Sequence, residues 1–183
     1  MFNRLFALLL LILLHPLFLI VSIVIFIEDG IPFFFTQKRV GINYSFFKIY
    51  KFRSMKKNTP NVATHLLTNP DQYLLKIGKL IRKTSLDELP NLINIIKGEM
   101  VFVGPRPALY NQDDLMALRI ATGVDKLKPG ITGWAQVNGR DDISIEKKVE
   151  LEQEYLSKKS FLFDTEILVK TFTNVLFSKG VSH

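Results

Sequence analysis

Two acids stand side by side at Asp87 and Glu88, preceded by Arg82-Lys83 and followed by Leu89-Pro90-Asn91. Neighbouring carboxylates can hold a hard divalent ion, which prefers oxygen ligands and bridges substrate phosphates. A structural reading is equally available: Ser85 followed three residues later by Glu88 fits a capping box, and acids in a first helical turn are favoured by the helix dipole. On a regular helix adjacent side chains point about 100° apart, so both acids can serve one site only at an irregular or terminal position, which Pro90 favours.

Arginines at 53, 82, 106 and 140 sit at loop or element ends, beside prolines, glycines or polar turns. A guanidinium matches phosphate oxygens with a two-point fork that an ammonium cannot reproduce, so the four could grip a diphosphate while the carboxylates hold the ion. Taken singly, each arginine is equally explained by a surface ion pair.

These residues need a scaffold, and its composition is unusual. The chain has 183 residues, enough for one ordinary domain, with formal charge +7, 48% hydrophobic residues, 15 phenylalanines and no cysteine. The lack of cysteine excludes a disulfide framework, a thiolate zinc site and a cysteine nucleophile. No acidic residue occurs between Ile31 and Pro70, while Lys38, Arg39, Lys48, Lys51, Arg53, Lys56 and Lys57 all do. Such a segment seeks phosphate or anionic headgroups, and its place beside an apolar run favours membrane lipids over nucleic acid, which is not expected as a partner.

That apolar run covers residues 5–27, interrupted only by His15, Pro16 and Ser22. It is long enough to cross a bilayer, and it ends in Glu28-Asp29-Gly30 rather than in a small-residue cleavage site. Pro16 lacks an amide hydrogen and clashes with the carbonyl of Ile12, so a kink is expected there. The kink permits either a spanning helix or a re-entrant one that returns both ends to one face. The positive-inside tendency puts the basic segment in the cytoplasm in both cases.

Beyond it, residues 31–35 read as an extended interfacial entry and 46–53 as a short strand or surface segment. Helices are expected over 73–82, on the membrane surface, and from near Ser85 to Lys97-Gly98, where glycine can take the left-handed cap. Residues 101–103 enter the rigid Gly104-Pro105-Arg106-Pro107 turn; 113–121 is helical, and 131–137 reads as a strand closed by Asn138-Gly139. Helices over 146–157 and 165–177 follow, the last with an apolar stripe whose default reading is packing on the core, with membrane contact as the alternative. The fold class is α/β, mostly α with few short strands.

Four segments carry a family resemblance: Phe47-Lys48-Ile49-Tyr50-Lys51-Phe52-Arg53-Ser54-Met55, Thr84-Ser85-Leu86-Asp87-Glu88-Leu89-Pro90, Gly104-Pro105-Arg106-Pro107 and Lys128-Pro129-Gly130-Ile131-Thr132-Gly133-Trp134-Ala135-Gln136-Val137-Asn138-Gly139-Arg140. In this order they resemble the successive signatures of the bacterial sugar transferases, the monotopic phosphoglycosyl transferases. The resemblance implies transfer of a sugar-1-phosphate from a UDP-sugar to polyprenol phosphate, giving a polyprenyl-diphosphate sugar and UMP early in glycan assembly. It implies Asp87 as nucleophile, forming a covalent phosphosugar enzyme, and Glu88 as a ligand of Mg²⁺. Lys51, Arg82, Arg106 and Arg140 match phosphate-handling positions, with Arg53 and Asp164 as further substrate-binding candidates. It also implies a re-entrant membrane helix over 1–30, interfacial amphipathic helices, and a catalytic domain over 31–183 on the cytoplasmic face of the bacterial inner membrane.

The chain departs from the family pattern in placing His15 before Pro16, where serine is common, and in its short basic start, Met1-Phe2-Asn3-Arg4. The stretch Thr59-Pro60-Asn61-Val62-Ala63-Thr64-His65, with Arg106-Pro107-Ala108-Leu109-Tyr110-Asn111-Gln112 and Gly180-Val181-Ser182-His183, is most similar to members that handle N-acetylated 6-deoxy amino sugars such as N-acetylfucosamine or N-acetylquinovosamine. His65 and Trp134 could touch sugar or base, or serve as a helix cap and a core aromatic. Two other readings stay open: direct transfer to the lipid with Asp87 as metal ligand or base, and a non-enzymatic membrane scaffold.

Overall fold

The computed structural model describes residues 2–60, 69–139 and 143–176. The apolar run forms two helices, α1 (Phe2–Leu13) and α2 (His15–Asp29), which bend by 61° at their junction. Pro16 lies in the first turn of α2, where its missing amide costs no helical bond, and this fixes the break two residues earlier at Leu14. No single described helix is long and apolar enough to cross a membrane, whereas the bent pair together meets that length and composition.

One side of this bent pair is part of the domain core. Ala7 packs with Phe47, Ile49, Leu92, Ile95 and Met100, and Phe18, Val21 and Ile25 pack with Phe52, Leu75 and Ile81. The other side, with Leu5, Leu9, Ile12, Leu13, Ile20, Ile23 and Ile27, is exposed. Both ends are tied to the same body: Arg4 donates to the Lys97 carbonyl at 3.4 Å, and the carboxylate of Asp29 pairs with Arg53. Glu28 adds a second tie by accepting from the amides of Lys76 and Ile77.

The entry segment is a full strand: β1 (Phe34–Val40) pairs antiparallel with β2 (Phe46–Phe52), Phe34 opposite Phe52 and Val40 opposite Phe46. Helix α3 (Lys76–Lys83) follows a 3-10 turn at Pro70–Tyr73, and α4 (Asn91–Lys97) ends on Gly98 in the expected left-handed conformation, φ 83°. The short strands β3 (Val101–Val103) and β4 (Gly130–Thr132) are parallel. Helices α5 (Asp113–Thr122), α6 (Trp134–Asn138), α7 (Ile145–Lys158) and α8 (Phe161–Leu176) complete the described chain.

Two expectations are corrected. The strand expected over 131–137 stops at Thr132, because Gly133 in extended conformation starts α6 and Asn138 closes it by donating to the Trp134 carbonyl at 2.8 Å. Trp134 thereby becomes a core aromatic, tilted against Phe163 and donating to Glu154 at 2.8 Å. Helix α8 does not bury its apolar stripe: Ile167 is buried, but Leu168, Val169, Phe172 and Leu176 are exposed, as are Phe161 and Leu162 at its start.

Candidate active site

Asp87 and Glu88 lie in a single 3-10 turn, Leu86–Glu88, between α3 and α4. Ser85 enters it in the left-handed conformation, φ 56°, and makes no side-chain cap. The capping box is therefore overturned. The Ser85 amide donates instead to the Arg82 carbonyl, and the Glu88 carboxylate meets cations from other elements. The irregular geometry that two adjacent acids need to share one site is present at this turn.

Lys51 near the end of β2 donates to Glu88 Oε1 at 2.7 Å, and Arg106 of the β3–α5 loop donates to the same oxygen at 3.3 Å. Burial alone would raise the Glu88 pKa, yet Lys51 and Arg106 outweigh it and hold the group at about 2. Asp87 moves the other way, to about 6, because burial and then the charge of Glu88 disfavour its ionised form more than Lys51, Arg82 and Arg106 favour it. Near neutral pH both are ionised, Asp87 with little margin.

Three supports fix these groups. Asn94, fully buried, accepts from the Tyr50 amide at 3.1 Å and donates to the Lys48 carbonyl at 2.7 Å, which locks β2 and its Lys51 against α4. At the loop carrying Arg106, Gly104 donates to the Thr132 carbonyl and Gly130 donates to that of Pro105, at 2.8 and 2.9 Å. A Cβ on Gly130 would stand 2.2 Å from the Gly104 nitrogen, so only glycine allows this approach. Finally, the buried pair of Arg119 on α5 and Glu152 on α7 is bidentate, at 2.7 and 2.5 Å, and Arg119 also donates to the Arg106 carbonyl at 2.9 Å.

A cleft beside the turn is lined by Arg39, Lys51, Glu88, Asn91, Arg106 and Ile131. Of the residues singled out in the sequence, Lys51, Arg82 and Arg106 are thus gathered around Asp87-Glu88. Arg53 is placed elsewhere. It is buried and its donors go to Asp29, Gly30, Pro32 and Met55, just after the bent helix pair. Asp164 opens α8 and accepts from Tyr155 at 2.7 Å; burial and this partner push the Tyr155 hydroxyl well above the usual tyrosine range. Arg140 and His65 lie outside the described residues.

Arg39, Asn91, Asn94, Arg119 and Glu152 were not singled out as site residues. Arg39 was visible only as part of the basic segment. The partners Arg119 and Glu152 are separated by 33 positions, so no local pattern reveals them.

No group of three or more His, Cys, Asp or Glu side chains able to hold a metal occurs among the described residues. The acidic pair offers at most two protein carboxylates, and Glu88 Oε1 is already held by Lys51 and Arg106, so an ion of the Mg²⁺ class would have to draw the rest of its shell from substrate phosphate and water.

Comparison with known proteins agrees with this geometry. The family model described as bacterial sugar transferase matches residues 1–178. An uncharacterised sugar transferase, EpsL, of Bacillus subtilis is 45% identical over 86% of this chain and 77% of its own length. The exopolysaccharide production protein ExoY of Sinorhizobium fredii is 37% identical over 98% and 85%. The UDP-glucose:undecaprenyl-phosphate glucose-1-phosphate transferase of Escherichia coli is 37% identical over 90% of this chain but only 37% of its own, longer length. With acids, cations and family signatures converging on one turn, the chain belongs to the bacterial sugar transferase family.

Proposed function

We propose that this enzyme transfers a sugar-1-phosphate from a UDP-sugar to polyprenol phosphate through a phosphosugar intermediate on Asp87. The observation that carries the reading is the convergence of Lys51, Arg82 and Arg106 on an Asp87-Glu88 pair whose members have opposite pKa displacements. A carboxylate at about 6 is ionised near neutrality and more basic than an ordinary aspartate, which suits attack on phosphorus. In the first step Asp87 Oδ bonds to the sugar-bearing phosphorus and the P–O bond to UMP breaks, UMP leaving with the bridging oxygen and its electron pair. In the second, a phosphate oxygen of the lipid attacks the same phosphorus and frees the carboxylate.

Glu88, held ionised by Lys51 and Arg106, cannot serve as an acid and is the fitting ligand for Mg²⁺, with Asp87 beside it. When bound, the ion would neutralise charge on the diphosphate. Lys51, Arg82 and Arg106, with Arg140, orient the phosphates and stabilise the charge that accumulates on them. The family match sets aside the non-enzymatic scaffold reading. Relatives named for transfer to undecaprenyl phosphate, among them a galactose phosphotransferase of Salmonella typhimurium, support the polyprenol acceptor.

The bent pair is read as re-entrant because Arg4 at its start and Asp29 at its end both dock on one domain. A straight spanning helix would place them on opposite faces of the hydrocarbon. The exposed apolar faces of α1, α2 and α8 then meet lipid at the cytoplasmic face of the inner membrane. Labelling of cysteines introduced before Leu5 and after Gly30 should occur from the same side, and opposite sides would sink re-entrance.

The chemistry is tested by incubating the enzyme with UDP-sugar labelled in the sugar, without acceptor. Label should become bound to the wild-type protein and not to Asp87→Asn. With acceptor present, UMP release by Asp87→Asn at the wild-type rate would overturn Asp87 as nucleophile, and wild-type release that occurs only with acceptor, with no label bound in its absence, would favour direct transfer. A UMP-release panel of UDP-sugars, N-acetylated 6-deoxy amino sugars included, decides the donor.

A further inference from the structure

Helix α8 is inverted: its exposed face is apolar, and its inner face is held to the domain by polar bonds. Asp164, Ile167, Thr171 and Asn174 follow at intervals of three and four and so share one stripe. Of these, Ile167 is the apolar anchor and is completely buried. The other three are bonded to neighbouring elements. Asp164 accepts from Tyr155 at 2.7 Å, the Thr171 hydroxyl meets that of Thr132 at 2.7 Å, and Asn174 donates to the Val137 carbonyl at 3.3 Å. Apolar contacts can slide, whereas hydrogen bonds weaken steeply with angle, so this stripe fixes a register.

Two of the ties end beside the Arg106 loop. Tyr155, 2% exposed on α7 and three positions after Glu152, also places its hydroxyl 3.1 Å from the Val103 carbonyl. Burial and Asp164 keep that hydroxyl protonated beyond the usual tyrosine range, so it stays a donor. Thr171 gives its own proton to the Ile167 carbonyl at 2.7 Å, which makes Thr132 the donor in the threonine pair. Val103 and Thr132 face each other in the parallel register of β3 and β4, and the Thr132 carbonyl accepts from the Gly104 amide at 2.8 Å. From this pair the chain leaves as Gly104-Pro105-Arg106, and the Arg106 guanidinium reaches Glu88.

We infer that Tyr155, oriented by Asp164, is a positioning residue for Arg106, and that the Thr132 and Thr171 hydroxyls form a second tie by which α8 holds the same loop. This role rests on the phosphate-handling reading of Arg106. It sets Asp164 at one remove from substrate: the carboxylate touches the phenol, and the phenol touches the strand from which the loop departs. Phenylalanine would pack at position 155 as well as tyrosine does. A directed hydroxyl is needed only if the Val103 carbonyl must be held.

The test is a double-mutant cycle on the full chain in detergent micelles, read as UMP release from a UDP-sugar with polyprenol phosphate present and as affinity for UDP. Tyr155→Phe keeps the ring and loses the hydroxyl. It should lower kcat/KM roughly ten-fold, a displacement of 1 Å near a reacting centre being worth about a hundred-fold. In an Arg106→Met background the same change should cost less than about two-fold, because the group it positions is gone. UDP affinity should follow the same pattern. Asp164→Asn, which still accepts from the phenol, should keep most of the activity. Wild-type turnover in Tyr155→Phe would overturn the inference, and so would a large loss in Asp164→Asn, which would return Asp164 to the substrate site. A loss in Tyr155→Phe that is equal in both backgrounds strikes the positioning role alone, since Tyr155 would then support the fold at large. Arg106→Met with wild-type turnover and UDP affinity would overturn the reading of Arg106 itself. Should Tyr155→Phe not fold, Thr171→Val enters the same cycle, where a loss confined to the Arg106 background supports the second tie and an additive loss, or none, overturns the inference.

Discussion

Replacing Glu152 by glutamine tests whether the Arg106 loop is held from behind. Arg119 and Glu152 are 5% and 2% exposed, and their bidentate contacts measure 2.7 and 2.5 Å, so solvent screens the pair little. The substitution keeps the volume but leaves the Arg119 charge buried without a counter-charge, which costs about 3–5 kcal/mol. At this chain length each kcal/mol lowers the melting temperature by roughly 2–4 °C, so a drop of about 6–20 °C is expected. The single tryptophan, Trp134, packed on Phe163 and bonded to Glu154, provides a fluorescence signal for the transition. The apolar double variant Arg119→Met/Glu152→Leu should recover most of the stability, because no buried charge remains. It should not recover activity, since the Arg106 carbonyl still lacks its donor from Arg119. A single variant melting within about 2 °C of the wild type, on the same scale, would refute the energetic reasoning. A double variant with full UMP release would refute the link to Arg106.

Other outcomes follow from the same site and its anchors. Because Asp87 is lifted to about 6, kcat/KM should fall below that pH; Lys51→Met, which removes a cation that lowers this pKa, should move the limb to higher pH, and Glu88→Gln should move it to lower pH. Movement of both in the same direction would contradict the electrostatic account. For stability the sign is opposite for the two acids. Glu88 contributes stability above its ordinary 4.5 that is lost as pH falls toward about 2, whereas Asp87 lowers stability as pH rises from 3.8 to about 6. Asp87→Asn should therefore raise the melting temperature more at pH 7 than at pH 4, and an equal effect at both would count against a lifted pKa. Gly78→Ala would bring a Cβ to 2.0 Å from the Ser54 carbonyl oxygen, so α3 must shift at a cost of about 1–3 kcal/mol, readable as a lower melting temperature. Arg53→Lys should lower stability and loosen the exit of the bent pair while leaving KM for the UDP-sugar unchanged. A raised KM at unchanged stability would return Arg53 to the substrate site.

Much of this protein is determined locally and is therefore legible in its residues. The apolar run and Pro16 dictate a broken helix pair, since hydropathy and a missing amide act within a few positions. Gly98 ends α4 for the same kind of reason, and the ordered signatures around Lys51, Asp87-Glu88 and Arg106 identify the family that the comparison confirms. Residues 131–137 misled because Ile131, Val137 and the intervening aromatic satisfy strand propensity, while the contact of Trp134 with Phe163 and Glu154 from distant helices selects a helix.

The tertiary structure decided what the acids face. Ser85-x-x-Glu88 satisfies the capping pattern in sequence, but the left-handed Ser85 turns Glu88 to Lys51, 37 residues away, and a cap bond is weaker than a charge-assisted bond at 2.7 Å. It likewise assigned Arg53 to the exit of the bent pair, Arg119 and Glu152 to the back of the Arg106 loop, and Asn91 to the cleft. Residue type and spacing determine which groups are able to hold charge. Burial and partners brought from far along the chain determine which of them do, because the desolvation and Coulomb energies that separate Asp87 from Glu88 exist only once the chain has folded.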